Sequence, residues 1–395
     1  MKMVSVGEMG ACQIAPCLLL CRSQVWTYSY FMTANDIIFL LLGFLFLVGG
    51  AEFLVRGAAR VALTIGISPL VVGLTVVAFG TSAPELAVSM VSSFTGDGNL
   101  AMGNVIGSNV FNILVVLGIS ALIIPLVVHQ QLVRFDVPFM IGISFLLLLL
   151  GLDGRIGRLD GLLLVIGVIF YTTFLIRKSR KEGKEVKDEY ENEFGSEEEN
   201  VWWKNVIWIV LGMGGLVLGS KWLVDSAVSI AEAYQVSELV IGLTIVAMGT
   251  SLPEVATSVV AAVKGERDIA VGNAVGSNIF NILSVIGFSS LISPGGVAVS
   301  KAALTFDLPV MIGVAVACLP IFFTKYCITR LNGAFFILYY GAYLTYLLMN
   351  AAHHDYVDQY HFALTWFVLP ITGVTLMAIS LSAFKQYRGE LNVKP

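Results

Sequence analysis

The sequence predicts an all-α polytopic membrane protein made of two inverted five-helix repeats, ten core transmembrane helices in all, with one extra C-terminal helix. Three observations predict this fold. Hydrophobic residues make up 57% of the 395 residues and charged residues only 13%, a balance too apolar for the surface of a soluble globule. A long stretch of the first half recurs in the second half. Each copy carries an odd number of apolar segments long enough to cross a bilayer.

The apolar segments give the individual spans. Eleven are long enough to cross as helices, and they lie at about 36–55, 69–94, 101–125, 133–152, 159–176, 205–224, 238–263, 270–293, 304–324, 331–349 and 362–383.

The repeat is found by sliding the sequence against itself by 169 positions. From Ile67 to Pro125, 33 of 59 residues are then identical in the second copy, and the matches include Gly, Asn, Pro and Glu as well as apolar residues. Each unit holds five spans, so the second unit enters the membrane from the opposite side. This arrangement is common in secondary transporters, whose sites lie near the midplane where the halves meet.

The remaining segments complete the predicted organisation. Residues 177–203 form a charged cytoplasmic linker, for which we expect a solvated loop and keep regulatory ion binding as the alternative. The predicted units are an N-terminal extension at 1–34, a first repeat at 35–176, a second repeat at 204–350, and a loop, extra helix and tail at 351–395. "MTANDIIFLLLGF" at Met32 resembles a natural start, so a chain beginning there is expected to insert and transport normally.

The positive charges predict the orientation. With the N-terminus outside and the C-terminus in the cytoplasm, only six of the 23 Lys and Arg residues fall outside, as the positive-inside rule requires. The six are Lys2, Arg22, Arg155, Arg158, Lys221 and Lys301. We expect a multi-pass protein of the cell membrane.

Two copies of one motif place a carboxyl group inside a span. "GTSAPE" ends at Glu85 and "GTSLPE" ends at Glu254. An ionisable residue at this depth is costly unless it faces a partner or a wet cavity. The alternative, a protonated Glu that bonds locally beside a Pro kink, is weakened by the duplication at matching depth.

The same motif supplies further oxygen atoms. Pro84 cannot donate to the carbonyl of Gly80 and opens that turn, so nearby carbonyls are expected to line a cavity. The candidate ligands of the first copy are Ala78 through its carbonyl, Thr81, Ser82 and Glu85, and those of the second are Ala247, Thr250, Ser251 and Glu254.

The following span carries a polar stripe in each copy, "GNVIGSNVFN" and "GNAVGSNIFN". Spacing of four residues puts its members on one helix face. Ser108, Asn112, Ser277 and Asn281 are predicted ligands, whereas Asn104, Asn109, Asn273 and Asn278 are assigned to hydrogen bonding between helices. The Gly pairs in both motifs would let another helix approach closely.

All these ligands are oxygen atoms, which suit hard cations such as Ca²⁺ and Na⁺. Two carboxylates carry the charge that one Ca²⁺ neutralises. One Ca²⁺, several monovalent cations or two protons could each neutralise the site and permit switching. The residues therefore predict cation exchange and leave the driving ion open.

At these motifs the sequence resembles the cation/calcium exchanger superfamily, specifically prokaryotic sodium/calcium antiporters with two alpha-repeats, over about residues 35–349. The resemblance implies alternating access in which Na⁺ influx drives Ca²⁺ extrusion, with Glu85 and Glu254 binding Ca²⁺ and the neutral ligands shared between both ions. Several relatives, including potassium-dependent ones, carry Asp where this chain has Asn281. The neutral amide gives the site one negative charge fewer, and we therefore expect exchange independent of K⁺.

Other functions fit the residues less well. H⁺-driven antiport of Ca²⁺ or another divalent cation is the first alternative, a cation channel the second, and a non-transporting scaffold leaves the Glu pair unexplained. No nucleophile with a His base and no phosphate-binding loop stands out, so an enzyme is not predicted. No cofactor, nucleic acid or obligatory protein partner is expected, and the predicted partners are Ca²⁺, Na⁺ and the lipid bilayer.

Overall fold

The computed structural model describes residues 15–194, 202–234, 236, 238–368, 370–375 and 377. Within them, eight helices are long and apolar enough to span a membrane, and a bent pair, Pro69–Thr81 with Ala83–Phe94, makes a ninth. The segment from Glu238 to Val263 corresponds to the predicted seventh span, and its helix is interrupted before Leu252. The chain is a helical multi-pass membrane protein, as the sequence predicts.

The first repeat contains eight helices, because two of its spans are interrupted. They are α1 (Ala15–Ile65), α2 (Pro69–Val72), α3 (Ala78–Thr81), α4 (Ala83–Phe94), α5 (Gly98–Phe111), α6 (Leu117–Ile123), α7 (Val137–Leu150) and α8 (Arg158–Phe194).

The second repeat has the same order with the corresponding interruptions. It contains α9 (Trp202–Ala233), α10 (Glu238–Ile241), α11 (Ala247–Gly249), α12 (Leu252–Val263), α13 (Arg267–Phe280), α14 (Gly287–Ile292), α15 (Leu308–Phe323) and α16 (Arg330–Ala351). A short helix, α17 (Val357–Ala363), follows it. The predicted eleventh span continues from there and lies partly outside the described residues, as do the tail and part of the linker.

Short π-helical stretches connect the pieces of several spans. Gly73–Val77 joins α2 to α3, and Gly242–Val246 joins α10 to α11 at the equivalent place. Asn112–Val116 follows α5, and Asn281–Ile286 follows α13. Single π turns occur frequently at functional sites because they widen the helix locally. Their repetition beside both motifs therefore marks the same region as the sequence does. Further π turns are Leu132–Asp136, Ala303–Asp307 and Leu364–Val368, and a 3₁₀ turn is Gly151–Asp153.

Two small antiparallel ribbons confirm the inversion. Strand β1 (Leu126–Val127) pairs with β4 (Cys327–Ile328), and β2 (Arg155–Ile156) pairs with β3 (Val297–Ala298). β1 follows the third span of the first repeat, and β3 follows the third span of the second. One span, containing α7, separates β1 from β2, so these two strands lie on opposite sides of the membrane. Since β3 pairs with β2, equivalent loops of the two repeats lie on opposite sides.

The first spans of the two repeats pack against each other through glycine. A Cβ on Gly43 would lie 2.9 Å from the Gly219 carbonyl oxygen, and one on Gly50 would lie 2.8 Å from that of Gly212. Such contacts let two helix backbones approach closely in lipid. The pair α1 and α9 thus forms one packed unit, and Lys264 at the end of α12 bonds from outside it to Glu52 of α1.

Candidate cation site

The two motif carboxylates lie where broken spans resume as helices. The first break falls at Ser82 (φ −81°, ψ 7°) and the second at Ser251 (φ −94°, ψ 9°). The two parts of the span that is broken at Ser82 meet at 46°. Each proline lies in the first turn of the next helix, where its missing N–H removes no helical bond. Glu85 and Glu254 follow in those first turns and are both fully buried.

Each glutamate is held by a serine of the other repeat. Ser251 Oγ donates to Glu85 Oε1 at 2.9 Å, and Ser82 Oγ donates to Glu254 Oε1 at 3.2 Å. Ser251 Oγ also lies 3.2 Å from Ser108 Oγ. These reciprocal bonds bring the two motifs to a common centre between the repeats.

Each glutamate also keeps one oxygen without a hydrogen bond. Among the described residues, Glu85 Oε2 and Glu254 Oε2 are buried and have no partner. The same is true of Asn281 Oδ1, of both polar atoms of the Asn112 amide, and of Thr250 Oγ1. Buried polar atoms are nearly always bonded, so the unpaired oxygens among these atoms are candidates for binding a cation.

Other predicted ligands are already bonded. Thr81 Oγ1 donates to Asn273 Oδ1 at 3.0 Å and lies 3.3 Å from Ser277 Oγ. The Ala78 carbonyl accepts from Ser82 N at 3.0 Å, so the proline does not turn this carbonyl out of the helix as the sequence suggests. In the second copy Ser251 N donates to Met248 instead, and the Ala247 carbonyl does not receive the equivalent bond. A carbonyl oxygen has two lone pairs, so both remain candidates.

The structure adds two serines that the sequence analysis did not single out. Asn104 Nδ2 donates to Ser89 Oγ at 2.9 Å and to the Glu85 carbonyl. Asn273 Nδ2 makes the equivalent bonds to Ser258 Oγ, at 3.0 Å, and to the Glu254 carbonyl. Each serine follows its glutamate by four residues on the same helix face, a repeated spacing that is visible in the sequence.

The potential ligands of the centre are therefore all oxygen atoms. Its described members are two carboxyl groups together with amide, hydroxyl and backbone oxygens, and the described part of the chain contains no group of three or more His, Cys, Asp or Glu residues arranged so that they could hold a metal ion. Such a donor set suits Ca²⁺ or Na⁺ and disfavours soft transition metals.

The two repeats enclose the centre unequally. A Cβ on Gly276 would lie 2.8 Å from the Leu74 carbonyl oxygen, and one on Gly272 would lie 3.0 Å from that of Leu70. At the equivalent positions, Gly103 and Gly107, a Cβ would meet nothing within 4 Å. The helix α13 thus packs closely on the first half of the second span, whereas the face of α5 that carries Gly103 and Gly107 makes no such contact.

The predicted ligands of the two repeats also differ in their burial. Thr81 and Ala78 are fully buried, but their equivalents Thr250 and Ala247 are half-buried and exposed. Phe79 stacks edge-to-face on Phe280 at 5.9 Å. Residues with the same sequence context therefore occupy a closed side and an open side of one centre.

Comparison with known proteins finds a family model and relatives that match most of the chain. The family model described as sodium/calcium exchanger protein matches residues 35–177 and 204–349. Inner membrane protein YrbG of Escherichia coli (strain K12) is 38% identical over 255 residues, which are 64% of this chain and 78% of YrbG. Sodium/calcium exchanger MaX1 of Methanosarcina acetivorans is 33% identical over 349 residues, covering 80% of this chain and 99% of MaX1.

A solved structure shares the fold. The sodium-calcium exchanger NCX_Mj, in a form soaked without Na⁺ and Ca²⁺, superposes with a TM-score of 0.66 at 29% identity. The match covers 77% of this chain and 96% of NCX_Mj.

Proposed function

The chain belongs to the sodium/calcium exchanger family and is a cation antiporter of that family, and we propose that it exchanges Na⁺ for Ca²⁺ by alternating access. In this proposal the Na⁺ gradient drives Ca²⁺ extrusion across the cell membrane. The predicted ligands form one central site, in which Glu85 and Glu254 bind Ca²⁺. The neutral oxygens of both repeats are shared between Ca²⁺ and Na⁺.

The observation that carries the proposal is the cluster of unsatisfied acceptors. Glu85 Oε2, Glu254 Oε2 and Asn281 Oδ1 are buried without hydrogen bonds in the described structure. A cation satisfies several acceptors at once, because each coordinating oxygen contributes a lone pair to the same ion. One divalent ion also balances two carboxylates. Ca²⁺ takes six to eight oxygen ligands in flexible geometry, and the predicted ligands offer carboxylate, amide, hydroxyl and backbone oxygens of the kind it binds.

The neutral ligands favour Na⁺ over H⁺ as the driving ion. A proton needs only the carboxylates, whereas a Na⁺ ion needs several oxygens around it. Asn112, Thr250 and Asn281 each have a buried oxygen without a hydrogen bond in the described structure, and in this proposal these oxygens complete a Na⁺ site together with the carboxylates. MaX1 and NCX_Mj are both named as sodium/calcium exchangers, which supports the same choice.

The unequal enclosure of the site supports alternation. Gly272 and Gly276 are in close contact with the second span, but Gly103 and Gly107 make no equivalent contact. In the opposite state we expect Gly103 and Gly107 to receive the first half of the seventh span. With the N-terminus outside, this open face lies on the external side and the described state faces outward. A channel would need no such exchange of contacts.

Transport in proteoliposomes tests the driving ion. Purified protein is reconstituted, and Ca²⁺ uptake is followed under an imposed Na⁺ gradient, under a pH gradient and under neither. We expect uptake with the Na⁺ gradient alone. Uptake driven by the pH gradient alone would establish H⁺ antiport instead, and rapid flux without any counter-gradient would establish a channel. Glu85→Gln protein, reconstituted in parallel, gives the background.

A further inference from the structure

Asn109 and Asn278 form a reciprocal contact between the two repeats. Asn109 Nδ2 donates to the Asn278 carbonyl at 3.4 Å, and Asn278 Nδ2 donates to the Asn109 carbonyl at 3.1 Å. The two side chains are only 2% and 3% exposed. Because each Nδ2 is bound to the opposite backbone, each Oδ1 must point the other way.

This fixed orientation reaches a predicted ligand. Asn109 Oδ1 accepts from Asn281 Nδ2 at 3.1 Å. The other end of the Asn281 amide, Oδ1, is buried and has no partner in the described structure. The bond therefore fixes the orientation of the Asn281 amide. Its nitrogen is held by Asn109, and its oxygen is left for a cation.

The equivalent bond at the mirrored position is absent. It would join Asn112 Nδ2 to Asn278 Oδ1, and both atoms are buried without a partner in the described part of the chain. The comparison within one molecule shows that the bond between Asn109 and Asn281 is not an automatic consequence of the repeated sequence.

We propose that Asn109 is a positioning residue, which orients the Asn281 amide so that its oxygen, not its nitrogen, faces the transported cation. This inference rests on the proposed function, in which Asn281 is a ligand. An amide turned by 180° would present two N–H groups to the cation, and an Asn has no other means of excluding that orientation in a buried site. Asn109 excludes it because its own Oδ1 can only accept.

A double-mutant cycle tests the proposal on the purified protein. Ca²⁺ and Na⁺ are titrated separately by calorimetry against wild-type, Asn109→Ala, Asn281→Ala and the double variant. We expect each single variant to weaken binding of the affected cation by about tenfold, as for loss of one buried hydrogen bond or ligand. The double variant should bind as Asn281→Ala does, since Asn109 acts only through Asn281.

The outcomes separate the inference from the function it rests on. If Asn281→Ala leaves both affinities unchanged, Asn281 is not a ligand and the proposed site is wrong there. Suppose instead that Asn281→Ala weakens binding, and that Asn109→Ala weakens it by the same factor in the wild-type protein and in the Asn281→Ala protein. Asn109 is then merely structural and the inference is overturned.

A matched control weakens the contact between the repeats but keeps the bond that orients Asn281. Asn278→Ala deletes one of the two reciprocal hydrogen bonds but leaves the acceptor for Asn281. We expect a smaller effect than that of Asn109→Ala, and one that multiplies with Asn281→Ala. Equal behaviour of the Asn109 and Asn278 variants would also overturn the inference. If Asn109→Ala does not yield folded protein, Asn109→Ser, whose shorter side chain does not reach Asn281, takes its place in the same cycle.

Discussion

Replacing Glu85 by Gln removes one of the two charges of the central site while keeping its shape. The Gln carbonyl can still accept from Ser251 Oγ, as Glu85 Oε1 does at 2.9 Å. The amide nitrogen then takes the place of Oε2, which is buried and unbonded in the described structure. The substitution therefore removes a charge and a ligand where the cation is expected, and it disturbs little else.

The charge of the cation sets the size of the effect. Two unit charges 4 Å apart interact by about 4 kcal/mol at an effective dielectric constant of about 20, and a divalent ion doubles this value. Desolvation of the carboxylate offsets part of it. A net loss of about 4 kcal/mol corresponds to roughly thousandfold weaker Ca²⁺ binding, and Na⁺, with half the charge, should lose less than Ca²⁺.

Calorimetric titration of Ca²⁺ and Na⁺ measures both losses, and Ca²⁺ uptake into proteoliposomes should fall to background. Thermal unfolding reports whether the variant is folded, which we expect because neutral Gln is less costly in the membrane than Glu. The control is Asp97→Asn, which removes a charge outside the site at the N-cap of α5 and keeps a good capping residue. Unchanged Ca²⁺ affinity in Glu85→Gln, or an equal loss for both ions, would refute the reasoning.

Three further predictions concern the packing, the ion pair and the ligand charge. Gly276→Ala should lower the unfolding temperature, because its Cβ would lie 2.8 Å from Leu74 backbone atoms and overpacking costs about 1–3 kcal/mol; Gly107→Ala, in open space, should not, and equal melting curves would contradict this. Lys264→Gln breaks the pair with Glu52 between α12 and α1, and since both side chains are partly exposed we expect a loss of only about 1 kcal/mol or less in chemical denaturation; a much larger loss would show that the pair is a main support. Wild-type exchange should not require K⁺, and Asn281→Asp should alter its Na⁺, K⁺ or pH dependence by adding a carboxylate; flux assays that find all three unchanged would place Asn281 away from the ions.

The sequence predicted correctly that the two glutamate motifs meet, but it described the local backbone less accurately. It placed Glu85 and Glu254 together because a repeated ionisable residue in lipid demands a shared partner. The proline rule predicted that Pro84 opens the helical turn at Gly80. In the structure the helix breaks at Ser82 instead, and the Ala78 carbonyl keeps its backbone hydrogen bond. A proline is accommodated in the first turn of a new helix, so the chain breaks before it.

The sequence by itself determined the membrane fold, the inversion and the meeting of the two glutamate motifs. Hydropathy, the odd number of spans per repeat and the matching polar positions can all be read from the residue types and their spacing, without knowledge of long-range contacts. Only the tertiary structure decided that Ser251 bonds to Glu85 across the repeats, that Asn281 donates to Asn109, and that Gly276 is packed while Gly107 is open. The physical reason is that two near-identical repeats share one centre. Their sequences can specify the pair of contacts that each repeat makes, but a single packed state realises the closed contact on one side and leaves the other side open.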